Sequence, residues 1–199
     1  MIVKMKYILM MYITLFSTII AGIINMVFCK ASILSKIQTP IDEKKLFIDG
    51  KRIFGDNKTW KGVLGYIVFN ISTAILWGLI CNYSNLNYYN FFYIYHENNI
   101  IYNFIIGLLL GISYSIFELP NSFLKRRLNI EPGKTTTGFK KIIFIFLDQA
   151  DSIFGCCLVV AFFYKMSLEF YLLYVLIGAI THIVLNIILY FMKLRKNMF

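Results

Sequence analysis

Between Tyr7 and Phe28 the chain runs without a charged residue, and about 20 mostly apolar residues are enough for a helix to cross roughly 30 Å of hydrocarbon. The pattern recurs over 63–81, 100–117 and 170–192, and over 142–164 with two Asp interrupting it. Backbone polar groups inside lipid must be satisfied within their own segment or in a closed barrel, so apolar runs of this length fold as helices. The sequence therefore predicts an all-α, polytopic integral membrane protein with about five transmembrane helices, forming a single domain over 1–199. Lys4 and Lys6 resemble the basic start of a signal peptide. The apolar run behind them is longer than a signal core and no small-residue cleavage site follows, so an uncleaved span is expected.

Charge between the runs sets the expected orientation. The segment 29–62 carries Lys30, Lys36, Lys44, Lys45, Lys51, Arg52, Lys58 and Lys61, while 82–99 carries no Lys or Arg. The segment 118–141 is basic again, the next holds only Lys165, and the tail holds Lys193, Arg195 and Lys196. Lys and Arg accumulate on the cytoplasmic side. The loops 29–62 and 118–141 are therefore expected in the cytoplasm, with the N-terminus outside, the C-terminus inside, and the chain in the cell membrane. The net charge of +10 would suggest nucleic acid in a soluble domain. Here hydrophobic residues make up 59% and charged ones 15%, against about 45–50% and about 25% in soluble domains. That balance excludes a disordered chain and nearly all soluble enzymes. Anionic lipid headgroups or a phosphorylated substrate suit these cations better than nucleic acid.

The fourth run contains Asp148 and Asp151. An ionised Asp at mid-span costs about 2.5–3.5 kcal/mol on insertion scales. Three residues apart on a helix, the two carboxylates share a face, and a cation between them would relieve their repulsion. Mg²⁺ takes one or two carboxylates and completes its shell with water and substrate phosphates. The alternative is that both Asp pair with Lys or Arg of the neighbouring loops. Ser122, Lys125 and Arg126 also share a helical face; a guanidinium fork fits phosphate oxygens and Lys adds a point charge. From charge alone, ordinary anchoring of cations at the lipid surface is the better explanation of them. Gly55-Asp56-Asn57 reads as a turn, and Asp56, Asn57 or Thr59 could cap the helix of the second run. A helix N-terminus favours phosphate, and Lys58 and Lys61 would add charge there.

Other features carry less. Pro132-Gly133-Lys134-Thr135 is not a P-loop, because Leu128 stands where its first glycine is needed. Gly107 and Gly111 suit close helix packing. Cys29, Cys81, Cys156 and Cys157 lack metal-ligand spacing, and His182, beside Thr181 and Asn186, suits a helix–helix hydrogen bond. The Tyr- and Asn-rich segment 82–99 suits an outer interfacial belt.

At these motifs the chain resembles the CDP-archaeol synthases, small relatives of the phosphatidate cytidylyltransferases. Gly55-Asp56-Asn57-Lys58-Thr59-Trp60-Lys61-Gly62 is similar to their GDNKTWRG stretch, with Lys61 where Arg is more usual. Glu118-Leu119-Pro120-Asn121-Ser122-Phe123-Leu124-Lys125-Arg126-Arg127 is similar to their ELPNSFxKRR stretch. Pro132-Gly133-Lys134 and Asp148-Gln149-Ala150-Asp151-Ser152 follow in the family's order, and Asp42-Glu43-Lys44-Lys45 is more charged than its usual counterpart.

The resemblance implies a nucleotidyltransferase of phospholipid biosynthesis. It would convert CTP and a membrane lipid phosphate (2,3-bis-geranylgeranylglycerol phosphate) to a CDP-lipid and pyrophosphate, with Mg²⁺ as cofactor. It implies Asp148 and Asp151 as metal ligands and, with Lys125 and Arg126, as catalytic residues. Asp56, Asn57, Lys58, Thr59, Lys61, Ser122, Arg127 and Lys134 would bind CTP or phosphate, with Glu118 and Asn121 in support. A homo-oligomer stays open. The rival readings are a phosphatidate cytidylyltransferase acting on diacyl lipid, a membrane transporter component using its intramembrane Asp as an ion path, and a degenerate homologue.

Overall fold

The computed structural model describes residues 2–134 and 137–193. Five long helices among them match the apolar runs: α1 (Ile2–Lys30), α2 (Trp60–Tyr83), α3 (Ile100–Arg127), α4 (Phe139–Phe163) and α5 (Leu168–Phe191). Each is long and apolar enough to cross a membrane. Their outer faces carry large exposed apolar side chains such as Phe16, Leu76, Ile116, Leu158 and Leu172, whereas Asn70, Asn103, Gln149 and Asn186 are buried. Apolar groups facing outward and amides facing inward are what a hydrocarbon solvent selects.

Consecutive helices pack on one another from α1 to α5. Glycines permit the closest approaches. A Cβ on Gly107 would lie 2.6 Å from the Ile71 Cα, and one on Gly111 2.7 Å from the Ile67 Cα, so this pair seats α3 directly on the α2 backbone. Gly155 likewise seats α4 on α3, where a Cβ would meet the Ser113 carbonyl oxygen at 2.7 Å. Asn70 donates within α2 to the Tyr66 carbonyl, while the other amides fasten separate elements, with Asn103 Oδ1 on α3 accepting from the Tyr93 hydroxyl of the 84–99 segment at 2.7 Å. His182 Nδ1 on α5 lies 3.2 Å from the Gln149 carbonyl oxygen on α4, and Asn186 donates to the Gln149 side chain. The cysteines are all free.

Two segments differ from expectation. The stretch 118–141 is not wholly a loop, because α3 continues through Pro120 to Arg127 and α4 starts at Phe139. Hydropathy falls where the hydrocarbon ends, but a helix can run on past that boundary. The segment 84–99 is more than a surface belt. Two 3₁₀ turns, Asn87–Tyr89 and Phe91–Tyr93, press fully buried Phe91 and Phe92 into the bundle. The Phe91 N–H donates to Thr14 Oγ1 on α1 at 2.9 Å.

Candidate active site

Asp148 and Asp151 stand one turn apart on α4, facing α3. Asn121 Nδ2 reaches both, donating to Asp148 Oδ1 at 2.7 Å and Asp151 Oδ2 at 2.9 Å. Lys125, one turn after Asn121, donates to the other oxygen of Asp148. Lys58, just ahead of α2, donates to Glu118 on α3. Burial works against a charge on Lys58, but Glu118, Asp151 and Asp148 outweigh it and hold the ammonium above the ordinary lysine pKa. Three carboxylates and two ammonium groups thus alternate in one place, which answers the cost of their burial. Asp148 is paired with a loop-proximal lysine, as the structural alternative anticipated, while Asp151 has no ion pair within 4.0 Å among the described residues.

These groups line a cavity of about 710 Å³, together with Asn57, Ser122, Arg126 and Lys134. Ser122 spends its hydroxyl proton on the Glu118 carbonyl at 3.0 Å. Lys134 pairs with Glu131 at the exposed rim. Arg126 is 9% exposed, makes no ion pair among the described residues, and leaves Nε without a partner. Gly55 lies beside it: at φ +102°, a Cβ there would strike Pro132 Cγ at 2.9 Å and make ordinary contact with the guanidinium at 3.6 Å. Away from the charges the lining turns apolar, with Ile19, Ile23 and Met26 of α1 and Ile177, Leu185 and Leu189 of α5. The two helices meet at their far ends, where Tyr174 donates to the Met11 carbonyl at 2.6 Å.

Four residues expected to bind phosphate stand outside this lining. Asp56 pairs with Arg52 at 2.9 Å. Thr59 caps α2, its hydroxyl accepting from the Gly62 N–H at 3.2 Å. Lys61 is fully buried, donates to the Ala31 carbonyl at 2.6 Å and lies over the Phe28 ring, tying the end of α1 to the start of α2. Arg127 lies over Phe47 and Phe123 and reaches Asp49 at 2.8 Å, which anchors the 40–56 loop to α3. Each has found a protein partner, and local spacing cannot show which cations do so.

The organiser of that loop is a residue that motif reasoning passed over. Asp42 is buried and accepts from Arg52 twice (2.8 and 3.3 Å) and from the N–H groups of Lys44, Phe54 and Gly55. Arg52 in turn holds Asp56. Burial opposes the charge on Asp42, but these donors prevail and hold its carboxyl well below the usual range. The sequence signal was an Asp whose side chain accepts from the N–H two residues on, a common turn device. Asp42→Asn should cost about 2 kcal/mol, the worth of hydrogen bonds to a charged group, and weaken use of the Gly55–Lys58 stretch. Because the native pKa is depressed, the stabilisation is present above the unfolded value of about 3.9 and fades as pH falls below it. Melting curves of the two proteins should therefore stay separated by a constant gap from pH 5 to 8 and converge under more acid conditions.

Among the described residues no three His, Cys, Asp or Glu side chains gather closely enough to cage a metal by themselves. A divalent cation that relies on substrate oxygens still fits. Asp148 and Asp151 each bring one oxygen to the same amide nitrogen of Asn121, so two carboxylate oxygens border one point. That is the sparse, hard donor set that Mg²⁺ accepts.

A bundle of membrane-spanning helices with opposed charges gathered in one partly enclosed cavity puts the chain in the class of intramembrane enzymes. Known proteins narrow the class. A family model described as CarS-like CDP-archaeol synthase matches residues 5–199. The CDP-archaeol synthase of Archaeoglobus fulgidus is 32% identical over 164 residues, which is 79% of this chain and 83% of the relative. That of Methanocaldococcus jannaschii is 28% identical, covering 76% of this chain and 78% of the relative. A solved structure described as an intramembrane enzyme for archaeal membrane lipids biosynthesis shares the fold, with a TM-score of 0.59 at 21% identity, over 88% of this chain and 92% of that one. The chain belongs to the CDP-archaeol synthase family.

Proposed function

We propose that the chain transfers a cytidylyl group from CTP to an archaeol-type lipid phosphate, 2,3-bis-geranylgeranylglycerol phosphate, giving a CDP-lipid and pyrophosphate. The observation that carries this reading is one cavity with a charged end, rich in phosphate-binding cations, and an apolar arm between α1 and α5. An amphiphile with a phosphate head fits both ends. The basic loops favour a cavity that opens to the cytoplasm, where CTP is, with the chain in the cell membrane.

In the reaction an oxygen of the lipid phosphate attacks the α-phosphorus of CTP. A phosphorus–oxygen bond forms, the bond from the α-phosphorus to the bridging oxygen breaks, and pyrophosphate leaves with the electron pair. The attacking oxygen is already an anion, so no strong base is required. The obstacle is repulsion between two polyanions, and fixed positive groups lower it while holding the reactants in line. Arg126 and Lys125 are placed to take phosphate oxygens, and Lys58 supplies a third cation at the same wall. Asp148 and Asp151, positioned by Asn121, would hold Mg²⁺, which neutralises phosphate charge when bound. Glu118 steadies Lys58, and Ser122 and Asn57 complete the polar wall.

The test is incubation of purified protein with Mg²⁺, labelled CTP and one lipid phosphate at a time. Label entering the lipid phase with the isoprenyl ether is the expected result. Label with diacylglycerol phosphate alone would make it a phosphatidate cytidylyltransferase, and folded protein that labels neither would overturn the reading.

A further inference from the structure

Exposed apolar side chains along the five helices face lipid. Another exposed apolar group stands beyond the helices, at the cavity end of the protein. Residues 45–53 form a small hairpin there. The Phe47 N–H donates to the Lys51 carbonyl at 2.8 Å, the Gly50 N–H to the Phe47 carbonyl at 2.9 Å, and the Ile53 N–H to the Lys45 carbonyl at 3.3 Å. Gly50 completes the turn at φ +72°, which glycine adopts without strain. Turn tips are usually built from Gly, Pro, Asn, Asp and Ser. This one carries Leu46, Phe47 and Ile48, which are 61%, 42% and 95% exposed. Lys44 and Lys45, both exposed, come directly before them. Single exposed apolar residues are ordinary, but three in a row on a turn call for a cover.

The surroundings indicate which cover. On α3 the residues Ile112, Ile116, Pro120, Leu124 and Leu128 are all exposed. Spaced four apart, they form the stripe that a spanning helix turns to hydrocarbon. That stripe continues to the end of the helix. The hairpin is pinned to the neighbouring ridge of the same helix. Phe47 packs edge-on against Phe123 at 5.1 Å, and Arg127 lies over both rings and holds Asp49 at 2.8 Å. The tip thus sits beside the point where the lipid-facing stripe leaves the bilayer. Apolar side chains flanked by lysines at that level suit the boundary between acyl chains and headgroups. Asp42 and Asp49 are neutralised by Arg52 and Arg127, and Glu43 by Lys45. Lys44 makes no ion pair among the described residues, so its charge is available to an anionic headgroup. A second copy of the chain fits less well, because three side chains fall well short of the roughly 800 Å² per partner of a stable interface.

We propose that the 46–48 tip is a lipid-docking surface, seated in the headgroup boundary of the leaflet on the cavity side, with anionic lipid as its partner. Its return strand carries Arg52, which holds Asp42 and Asp56, so the anchor and the cavity rim belong to one element.

The test uses the full chain in vesicles, with a nitroxide label on Ile48→Cys in a Cys29→Ser background; the other cysteines are buried. Ile48 is too exposed for its replacement to disturb the fold. The reference is the same label on Glu131→Cys, an exposed charged position at the cavity rim. In vesicles containing anionic lipid, the ratio of collisions with oxygen to collisions with a water-soluble nickel chelate should be severalfold higher at position 48 than at 131. Each cation near an anionic surface strengthens attachment about fivefold. Purely zwitterionic vesicles, or Lys44→Glu combined with Lys45→Glu, should therefore move the Ile48→Cys label toward water. A label at 48 that meets the chelate as freely as the one at 131 overturns the proposal. So does a label shielded from both reagents and broadened by a second label, which would put another copy of the chain on this face. Insertion that ignores lipid charge and both lysines overturns the choice of anionic lipid. None of these readouts uses transfer activity, so the proposal stands or falls separately from the cytidylyl-transfer reading.

Discussion

Asp151→Asn should lower transfer from CTP to lipid phosphate by a hundred- to a thousandfold, the range typical for removing a charge that organises a transition state, while protein yield stays normal. The substitution keeps the shape and one acceptor oxygen of two, so it retains either the contact with the Ser152 N–H at 2.6 Å or the one with Asn121, whose donors reach different oxygens of Asp151. It also removes one of three carboxylates crowded around Lys58 and Lys125, so the folded state loses little. What disappears is half of the carboxylate pair that borders the proposed cation position. The Mg²⁺ concentration giving half-maximal rate should rise, and excess Mg²⁺ should recover only part of the loss. Asp148→Asn should act in the same direction but also destabilise, because it strands the Lys125 ammonium in a part-buried position. An Asp151→Asn enzyme within fivefold of wild type, with unchanged Mg²⁺ dependence, would refute the metal assignment.

The spans were legible because hydrocarbon imposes one dominant rule on a helix, and the runs opening at Tyr7 and Ile100 follow it without competing signals. The carboxylate pair was legible for the same reason: Asp148 and Asp151 break that rule, and their spacing alone puts them on one face. Hydropathy was a poor guide to the end of α3, since Asn121 and Lys125 belong to a helix that outlasts its membrane span. Partner choice among the polar residues was hidden. Lys58 and Lys61 are near neighbours in one motif, yet one faces the cavity and the other is locked to Ala31. Which way each turns depends on where α1 ends, about thirty residues earlier in the chain. Asp42 escaped for a related reason. Its role arises from contacts ten to thirteen residues along the chain, and no local pattern records such contacts.

Arg126→Gln should separate stability from activity, moving them in opposite directions. In the free protein the Arg126 guanidinium is nearly buried and has no carboxylate within ion-pair distance among the described residues; burial and the like charge of Arg52 disfavour it more than the distant Asp42, Asp56 and Glu131 favour it. A buried charge without an ion-pair partner is a net cost to folding. A neutral amide of similar reach relieves that cost, so the unliganded Arg126→Gln protein should melt at or above the wild-type temperature. Its kcat/KM for CTP should nevertheless fall about a hundredfold, as for loss of one well-placed donor to a developing charge. Arg126→Lys should recover only part of this, because an ammonium cannot replace a planar fork. The sharpest readout is ligand-induced stabilisation. CTP at a hundred times its Kd should stabilise the wild type by about 2.7 kcal/mol, and the same concentration should leave Arg126→Gln nearly unshifted. A variant that melts well below wild type yet keeps its full CTP shift would assign Arg126 to the scaffold and leave phosphate capture to Lys125 and Lys58.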